Sequence, residues 1–189
     1  MEQLWELLGV DRGVTAVMGS GGKTSLLYQL AEELRPRGTV LLATTTHIMK
    51  PPQYPFAVTA EELTAALAAY GAACAGSYTP EGKLTAPSFG GWQQAADFVL
   101  VASAFGQPIR QAAHRPAIYA RLAGAPWSAA ITPEMAARVI CAEGLCDIIY
   151  VNQVDDAALT PPWAESFVRA SDVPVVIGSL QARRWRRLT

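Results

Sequence analysis

Cysteine, net charge and long apolar runs are all scarce in this sequence, and each scarcity removes a class of protein. The three cysteines, Cys74, Cys141 and Cys146, are odd in number and show no C-x-x-C spacing. Neither a disulfide framework nor a zinc site follows from them, and a reducing cytoplasm is expected. A formal charge of −1 over 189 residues makes no long-range field that would gather nucleic acid or an anionic membrane. The N-terminus, Met1-Glu2-Gln3-Leu4-Trp5-Glu6, is acidic where a signal peptide would be basic. No apolar run approaches the ~20 residues that a membrane span needs. A soluble, cytoplasmic protein with no nucleic-acid or membrane partner is therefore expected. The one charge cluster is the tail, Arg183-Arg184-Trp185-Arg186-Arg187, which holds four of the fifteen Lys and Arg. It reads as a solvated end in preference to a phosphate or partner site.

Apolar residues are plentiful at 51%, enough for one sizeable core, and residues 1–189 are expected to form a single domain. Val14 to Met18 is a short β-rich run, followed by Gly19-Ser20-Gly21-Gly22 and then by Leu26, Leu27, Leu30, Ala31 and Leu34 at helical spacing. Pro36 and Gly38 stop that helix. Val40 to Thr44 reads as a parallel strand buried on both faces. Pro51, Pro52 and Pro55 mark an irregular connection. Thr59-Ala60-Glu61-Glu62 is a capping box opening a helix to Tyr70, which Gly71 ends. Around Pro80-Glu81-Gly82-Lys83 a turn between two short strands is expected, a small hairpin insertion within 72–90.

Further on, Trp92 to Ala96 reads as a helical turn and Phe98 to Ala102 as a strand, with Pro116 to Ala123 and the segment from Thr132-Pro133-Glu134 as helices. Ile148 to Val151 and Val173 to Ile177 are strands around a helix at Trp163 to Ala170. The alternation predicts an α/β fold with a mainly parallel sheet, three layers deep.

The chemistry concentrates in Gly19-Ser20-Gly21-Gly22-Lys23-Thr24-Ser25. This is a G-x-x-G-K-T loop, shorter than G-x-x-x-x-G-K-[ST] because Val17 stands where the first glycine would be. It lies between a strand and a helix, where ligands of such sheets bind. Glycines let successive N–H groups converge on one anion, and the helix N-terminus adds about half a positive charge. Lys23 would bring a full charge to the terminal phosphates of ATP or GTP and act in catalysis, and the Thr24 hydroxyl would ligate Mg²⁺.

Thr44, Thr45, Thr46 and His47, at the end of the second strand, are candidates for contact with phosphate, metal or a second substrate. A Thr-rich strand end is also ordinary β-propensity. Asn152-Gln153-Val154-Asp155 is similar to the N-K-x-D element that reads guanine, with Gln153 in the lysine position. Asp155 would accept from the guanine N1 and N2 donors, yet such clusters also make plain turns. Asp97 precedes its strand and reads as a cap or surface residue, and His114-Arg115 at a helix start as structural.

Taken in order, the glycine loop, Thr44-Thr45-Thr46-His47-Ile48, His114-Arg115-Pro116, Ile131-Thr132-Pro133-Glu134, Asn152-Gln153-Val154-Asp155-Asp156 and Val176-Ile177-Gly178-Ser179-Leu180 resemble the YqeC family. These are selenium-dependent hydroxylase accessory proteins. The resemblance covers nearly the whole chain and implies a P-loop NTPase-like fold. It also implies a nucleotide-dependent role, as a slow NTPase, in maturing selenium-dependent molybdenum hydroxylases, with the hydroxylase or a cofactor-insertion protein as partner. A small-molecule kinase or ligase and a non-catalytic nucleotide-gated module are the alternatives.

The family pattern ends the strand matching Phe98 to Val101 with an acidic Glu-Ala-Asp-Gly element, but here Ala102-Ser103-Ala104-Phe105-Gly106 follows. Either the chain is a shortened member, or the natural protein is longer, with an acidic segment between about 101 and 114. The second reading is preferred and predicts an intact mass above 20.2 kDa for the protein isolated from its natural source. A mass spectrum returning 20.2 kDa would exclude it.

Overall fold

The computed structural model describes residues 2–19, 22–47, 52–103, 132–142, 144, 146–154 and 158–189, together with the backbone of 117–121. Its centre is β1 (Gly13–Met18), which runs into the glycine loop and then into α2 (Lys23–Leu34). A short α1 (Leu4–Leu7) precedes β1. The strand β2 (Val40–Thr44) is wholly buried, the mark of a strand covered on both faces.

Next come the two-residue β3 (Phe56–Ala57), α3 (Ala60–Tyr70) and β4 (Ala72–Ala75). The capping box that opens α3 is formed: Thr59 Oγ1 accepts from Glu62 N, and the Glu62 carboxylate accepts from Thr59 N. Gly71 closes the helix with φ +70.

The short β5 (Ser77–Tyr78) and β6 (Leu84–Thr85) pair antiparallel as a hairpin around Pro80-Glu81-Gly82-Lys83. It is narrower than the 72–90 insertion expected, because Ala72–Ala75 belong to the main sheet. A 3-10 turn at Trp92–Gln94 leads into β7 (Phe98–Ala102). The chain continues as β8 (Ala117–Arg121), α4 (Pro133–Ala142), β9 (Ile148–Val151), α5 (Ala164–Arg169), β10 (Val175–Ser179) and β11 (Arg184–Leu188).

Nine strands join in the order β11-β10-β9-β8-β1-β7-β2-β4-β3. The neighbours from β10 to β3 pair parallel, and β10 with β11 antiparallel. Alternate residues of each strand face opposite layers. Val40, Leu42, Leu100, Tyr150 and Val176 pack with Leu26, Leu27, Leu30 and Leu34 of α2. On the other face Leu41, Val99 and Val101 meet α3 through Leu63 and Leu67, while Ile149, Val175 and Ile177 meet α4 and α5 through Ile140 and Phe167. The result is a three-layer α/β arrangement. Each fully buried leucine of α2 contributes about 2 kcal/mol of transfer free energy, so the α2 contact with the sheet holds the loop in place.

Three expectations are corrected. Pro116 to Ala123 was expected to be helical, but 117–121 form β8 between β1 and β9. The run Ala117-Ile118-Tyr119-Ala120-Arg121 suits either state locally, and the parallel ladders on both sides decide for the strand. Residues 55–57 are not wholly irregular, since β3 adds to the sheet beyond β4. The arginine-rich tail is solvated at Arg183, Arg186 and Arg187, as expected, but it is a strand and not a free end: β11 pairs along β10, and Trp185 Nε1 donates to the carbonyl of Glu2 at 2.8 Å. Gly178 permits this, because a Cβ there would strike the Arg184 carbonyl and lie 2.8 Å from the Trp185 Cβ.

Asp97 sits before β7, at the sheet end remote from the glycine loop. Its Oδ2 accepts from Thr39 N at 2.8 Å and Thr39 Oγ1 at 2.9 Å, and its other oxygen pairs with Arg12. These donors, Thr39 first and Arg12 last, hold its carboxyl below the ordinary range. It is a structural tie between β7 and β2.

Thr15, in the middle of β1, is fully buried with an Oγ1 that has no hydrogen-bond partner among the described residues. An unmatched buried hydroxyl costs about 1–3 kcal/mol. Thr15→Val keeps the shape and removes that cost, and should stabilise the protein by roughly 1 kcal/mol in urea unfolding.

Candidate functional site

The strand order reverses at β1, while the strands on both sides of it stay parallel. β7, β2, β4 and β3 lie on one side of it, and β8, β9, β10 and β11 on the other. A crevice for ligands opens beyond the carboxyl end of such a strand, and there the glycine loop stands. Gly19 has φ +131 and Gly22, the N-cap of α2, has φ +68, both in the left-handed region that side chains resist. Lys23 is thereby the first helical residue. Its Nζ donates to the carbonyl of Gly19 at 2.9 Å, which braces the loop and leaves two of its three N–H groups for a ligand. Burial lowers the Lys23 pKa from its ordinary value. Ser20 and Gly21 lie outside the described residues.

The ends of β1, β7 and β2 are stitched beyond their ladders. Ser103 N donates to Val17 O at 2.8 Å, and Thr45 N to Ala102 O at 2.9 Å. Thr45 Oγ1 donates to Ser103 Oγ at 3.1 Å. The Thr44 hydroxyl donates to Ala102 O and accepts from Thr46 N, turning the chain after β2. Thr44 and Thr46 hydroxyls are 3.0 Å apart. Three of the four residues of the Thr-Thr-Thr-His element thus shape one rigid hydroxyl edge, and Thr24 shares a narrow cavity with Thr44 between α2 and β2. His47 is exposed. Beyond it, Glu81 at the hairpin tip has a carboxyl held below the usual range, by the Thr79 hydroxyl first, by its own backbone amide next, and least by the His47 charge.

Magnesium requires oxygen donors, commonly one or two carboxylates with ligand phosphates. The donors gathered here are the hydroxyls of Thr24, Thr44, Thr45, Thr46 and Ser103. The sequence from Phe98 to Pro133 contains no Asp or Glu, and no cluster of metal-ligating side chains occurs among the described residues. The donor set fits a magnesium ion that arrives on phosphates and gains one hydroxyl, from Thr24. It does not fit a metal held by the protein alone.

A second region opens beside the first turns of α2. A cleft of about 480 Å³ is lined by Ser25, Tyr28 and Gln29 of α2, by Asn152 and Gln153 after β9, and by Arg183 before β11. Asn152 is buried, and its Oδ1 accepts from Leu180 N at 3.0 Å and from the Tyr150 hydroxyl at 3.4 Å. Its oxygen therefore fastens the loop after β10 to the end of β9, while its amide donors meet no partner among the described residues. Asp155, His114 and Arg115 lie outside the described residues. Tyr28 and Arg183 are cleft residues to which the sequence assigned no site role, and Gln153 was named only as the residue in the lysine position of the N-K-x-D-like element. The arginine cluster was the one signal, and it became legible only once β11 folded back along β10.

Fold and site together define a three-layer α/β protein with a glycine-rich loop at the switch point of its sheet. A family model described as YqeC protein matches residues 15–118, more than half of the 189 residues, and the chain belongs to the YqeC family. That membership is consistent with an accessory role in maturation. No curated protein matches the chain. Among the described residues no helix is long and apolar enough to cross a membrane.

The lowered pKa of Lys23 gives a signed expectation for any anionic ligand of the loop. The anion favours the ammonium form, so affinity should hold at neutral pH and fall as Lys23 deprotonates. In calorimetric titrations with Mg-ATP and Mg-GTP the fall should begin below 10.5, the ordinary lysine value.

Proposed function

We propose that this protein binds ATP or GTP through a P-loop and serves as a nucleotide-dependent accessory factor in maturing a selenium-dependent molybdenum hydroxylase. The observation that supports this best is the convergence of three anion-binding devices at one switch point. These are the left-handed glycines Gly19 and Gly22, the amino end of α2, and Lys23 braced on Gly19. Lys23 contacts the terminal phosphates. Thr24 supplies one oxygen to Mg²⁺, which neutralises phosphate charge when bound. Ser20, Gly21 and Ser25 complete the loop, and Thr45, Thr46 and His47 border the phosphates. Asn152 and Asp155 hold the base. The hydroxylase side of the proposal comes from the family resemblance, with the hydroxylase itself or a cofactor-insertion protein as partner in the cytoplasm.

Nucleotide turnover is slow in this reading, because among the described residues the edge of hydroxyls carries no carboxylate and leaves the exposed His47 as the group there that could orient an attacking water. The same feature favours a second reading, a nucleotide-gated binding module without turnover: Thr44 and Ala102, the strand ends nearest the loop, carry no carboxylate, and the sequence has none between Asp97 and Glu134. Single-turnover hydrolysis separates the two.

Lys23→Ala should leave the fold intact and weaken Mg-nucleotide binding at least about a hundredfold, the scale of a lost charge-assisted contact. Thermal stabilisation by ATP, GTP and their diphosphates reads the site and its base preference together. Undiminished nucleotide affinity in the variant would defeat the assignment.

A further inference from the structure

The cleft beside α2 carries more than Asn152. Among the described residues three other than glycine adopt a left-handed backbone, and two of them, Gln153 at φ +57 and Arg183 at φ +50, line this cleft. Such a conformation costs on the order of 1–2 kcal/mol per residue and persists where the surroundings impose it. Here the imposing contacts are visible. Val154 N donates to Gly178 O, Leu180 N to Asn152 Oδ1, and Arg183 N to Leu180 O. The loop after β9 and the turn into β11 are thus bound to each other, and each presents its strained residue to the same space.

The lining is chemically uniform. Gln29, Gln53, Gln153 and Gln181 surround it, with the Asn152 amide and the Ser25 hydroxyl at the end nearest the glycine loop. Each of these groups can meet a donor or an acceptor, and none is charged. Of the two charged residues present, Glu32 is engaged by the Tyr54 hydroxyl at 2.6 Å and by Arg35. Arg183 is exposed, and among the described residues its guanidinium has no ion-pair or hydrogen-bond partner. The Tyr28 ring, half-buried on α2, is the aromatic wall.

We propose that this cleft takes the heteroaromatic base of the nucleotide, and that Arg183 is a base-binding residue, its guanidinium plane lying on the base while the glutamines serve its edges. The inference rests on the nucleotide reading above and extends it to a residue of the arginine tail. An amide-lined pocket of about 480 Å³ suits a planar ring with mixed donors and acceptors better than a second phosphate, which would call for more than one cation. Arginine stacks on such rings through its plane as well as its charge, and lysine cannot reproduce the plane.

Calorimetry on the full chain tests this with ATP, GTP and inorganic tripolyphosphate, each with Mg²⁺. Arg183→Asn and Arg183→Lys should each weaken the preferred nucleoside triphosphate about tenfold and leave tripolyphosphate unchanged. Asn tolerates the left-handed backbone. An Arg183→Gly variant, which has no Cβ to strain, should show the same loss with an unchanged melting temperature, separating a lost contact from a broken turn. Lys23→Ala should weaken both ligands. Wild-type affinity for nucleotide in Arg183→Asn, full rescue by Arg183→Lys, or an equal loss of tripolyphosphate would each overturn the role given to Arg183 while the nucleotide reading stood. A wild-type chain that binds none of the three ligands would remove the nucleotide reading, and this inference with it.

Discussion

The insertion of β7 between β1 and β2 is the constraint on which the site depends. Backbone hydrogen bonds run from Gly13↔Phe98 to Val17↔Ala102 on one side of β7 and from Val40↔Phe98 to Thr44↔Ala102 on the other. With both ladders in register, Val17, Ala102 and Thr44 lie at the same height, and Met18 ends β1 one residue beyond. The glycine loop, Ser103 and Thr45 then have one edge to share. A one-residue slip would turn the alternating faces of β7 over, placing Leu100 against α3 and Val99 against α2, so packing on both layers fixes the register. The Asp97 tie to Thr39 secures the opposite end of the same strands.

From that edge follows an uneven electrostatic site. Among the described residues, positive potential comes from Lys23 and the amino end of α2. The groups facing them are hydroxyls, already hydrogen-bonded to one another. Such a surface receives an anion without rearrangement and has little with which to activate water. The cleft along α2 differs again, being uncharged over most of its wall and lined by amides. The loop edge and the amide-lined cleft are therefore neighbouring but chemically distinct surfaces, with Ser25 lining the cleft at the start of α2.

Much of the fold was legible because the relevant signals are local. The strand at Val40 to Thr44, the capped helix from Thr59, and the turn at Pro80 to Lys83 all follow from residue types at short spacing, and the structure keeps them. The loop before α2 was legible for the same reason: glycines at 19 and 22 mark backbone conformations that other residues resist. The segment 117–121 was misread as helix because alanines and an arginine favour helix weakly, and the competing ladders come from residues a hundred positions earlier and thirty later. The tail was read rightly as solvated at Arg183, Arg186 and Arg187 but not as a strand, because an arginine run gives no sign of its partner strand. Gly178, which allows β11 to approach β10, carries no sign of that role in its own neighbourhood.

What the sequence determined by itself is the chemistry of the loop: its glycines, its lysine, its hydroxyls, and the lack of any carboxylate between Asp97 and Glu134. It also determined family and layer type, through motif order and the alternation of strands with helices. Only the tertiary structure decided that Ser103 meets Thr45, that the Asn152 oxygen is committed to Leu180, and that Arg183 stands across a cleft from Tyr28. Those meetings join residues 28 to 155 positions apart, and contacts at such separation are set by strand order and ladder register, which are properties of the whole sheet and of no single segment.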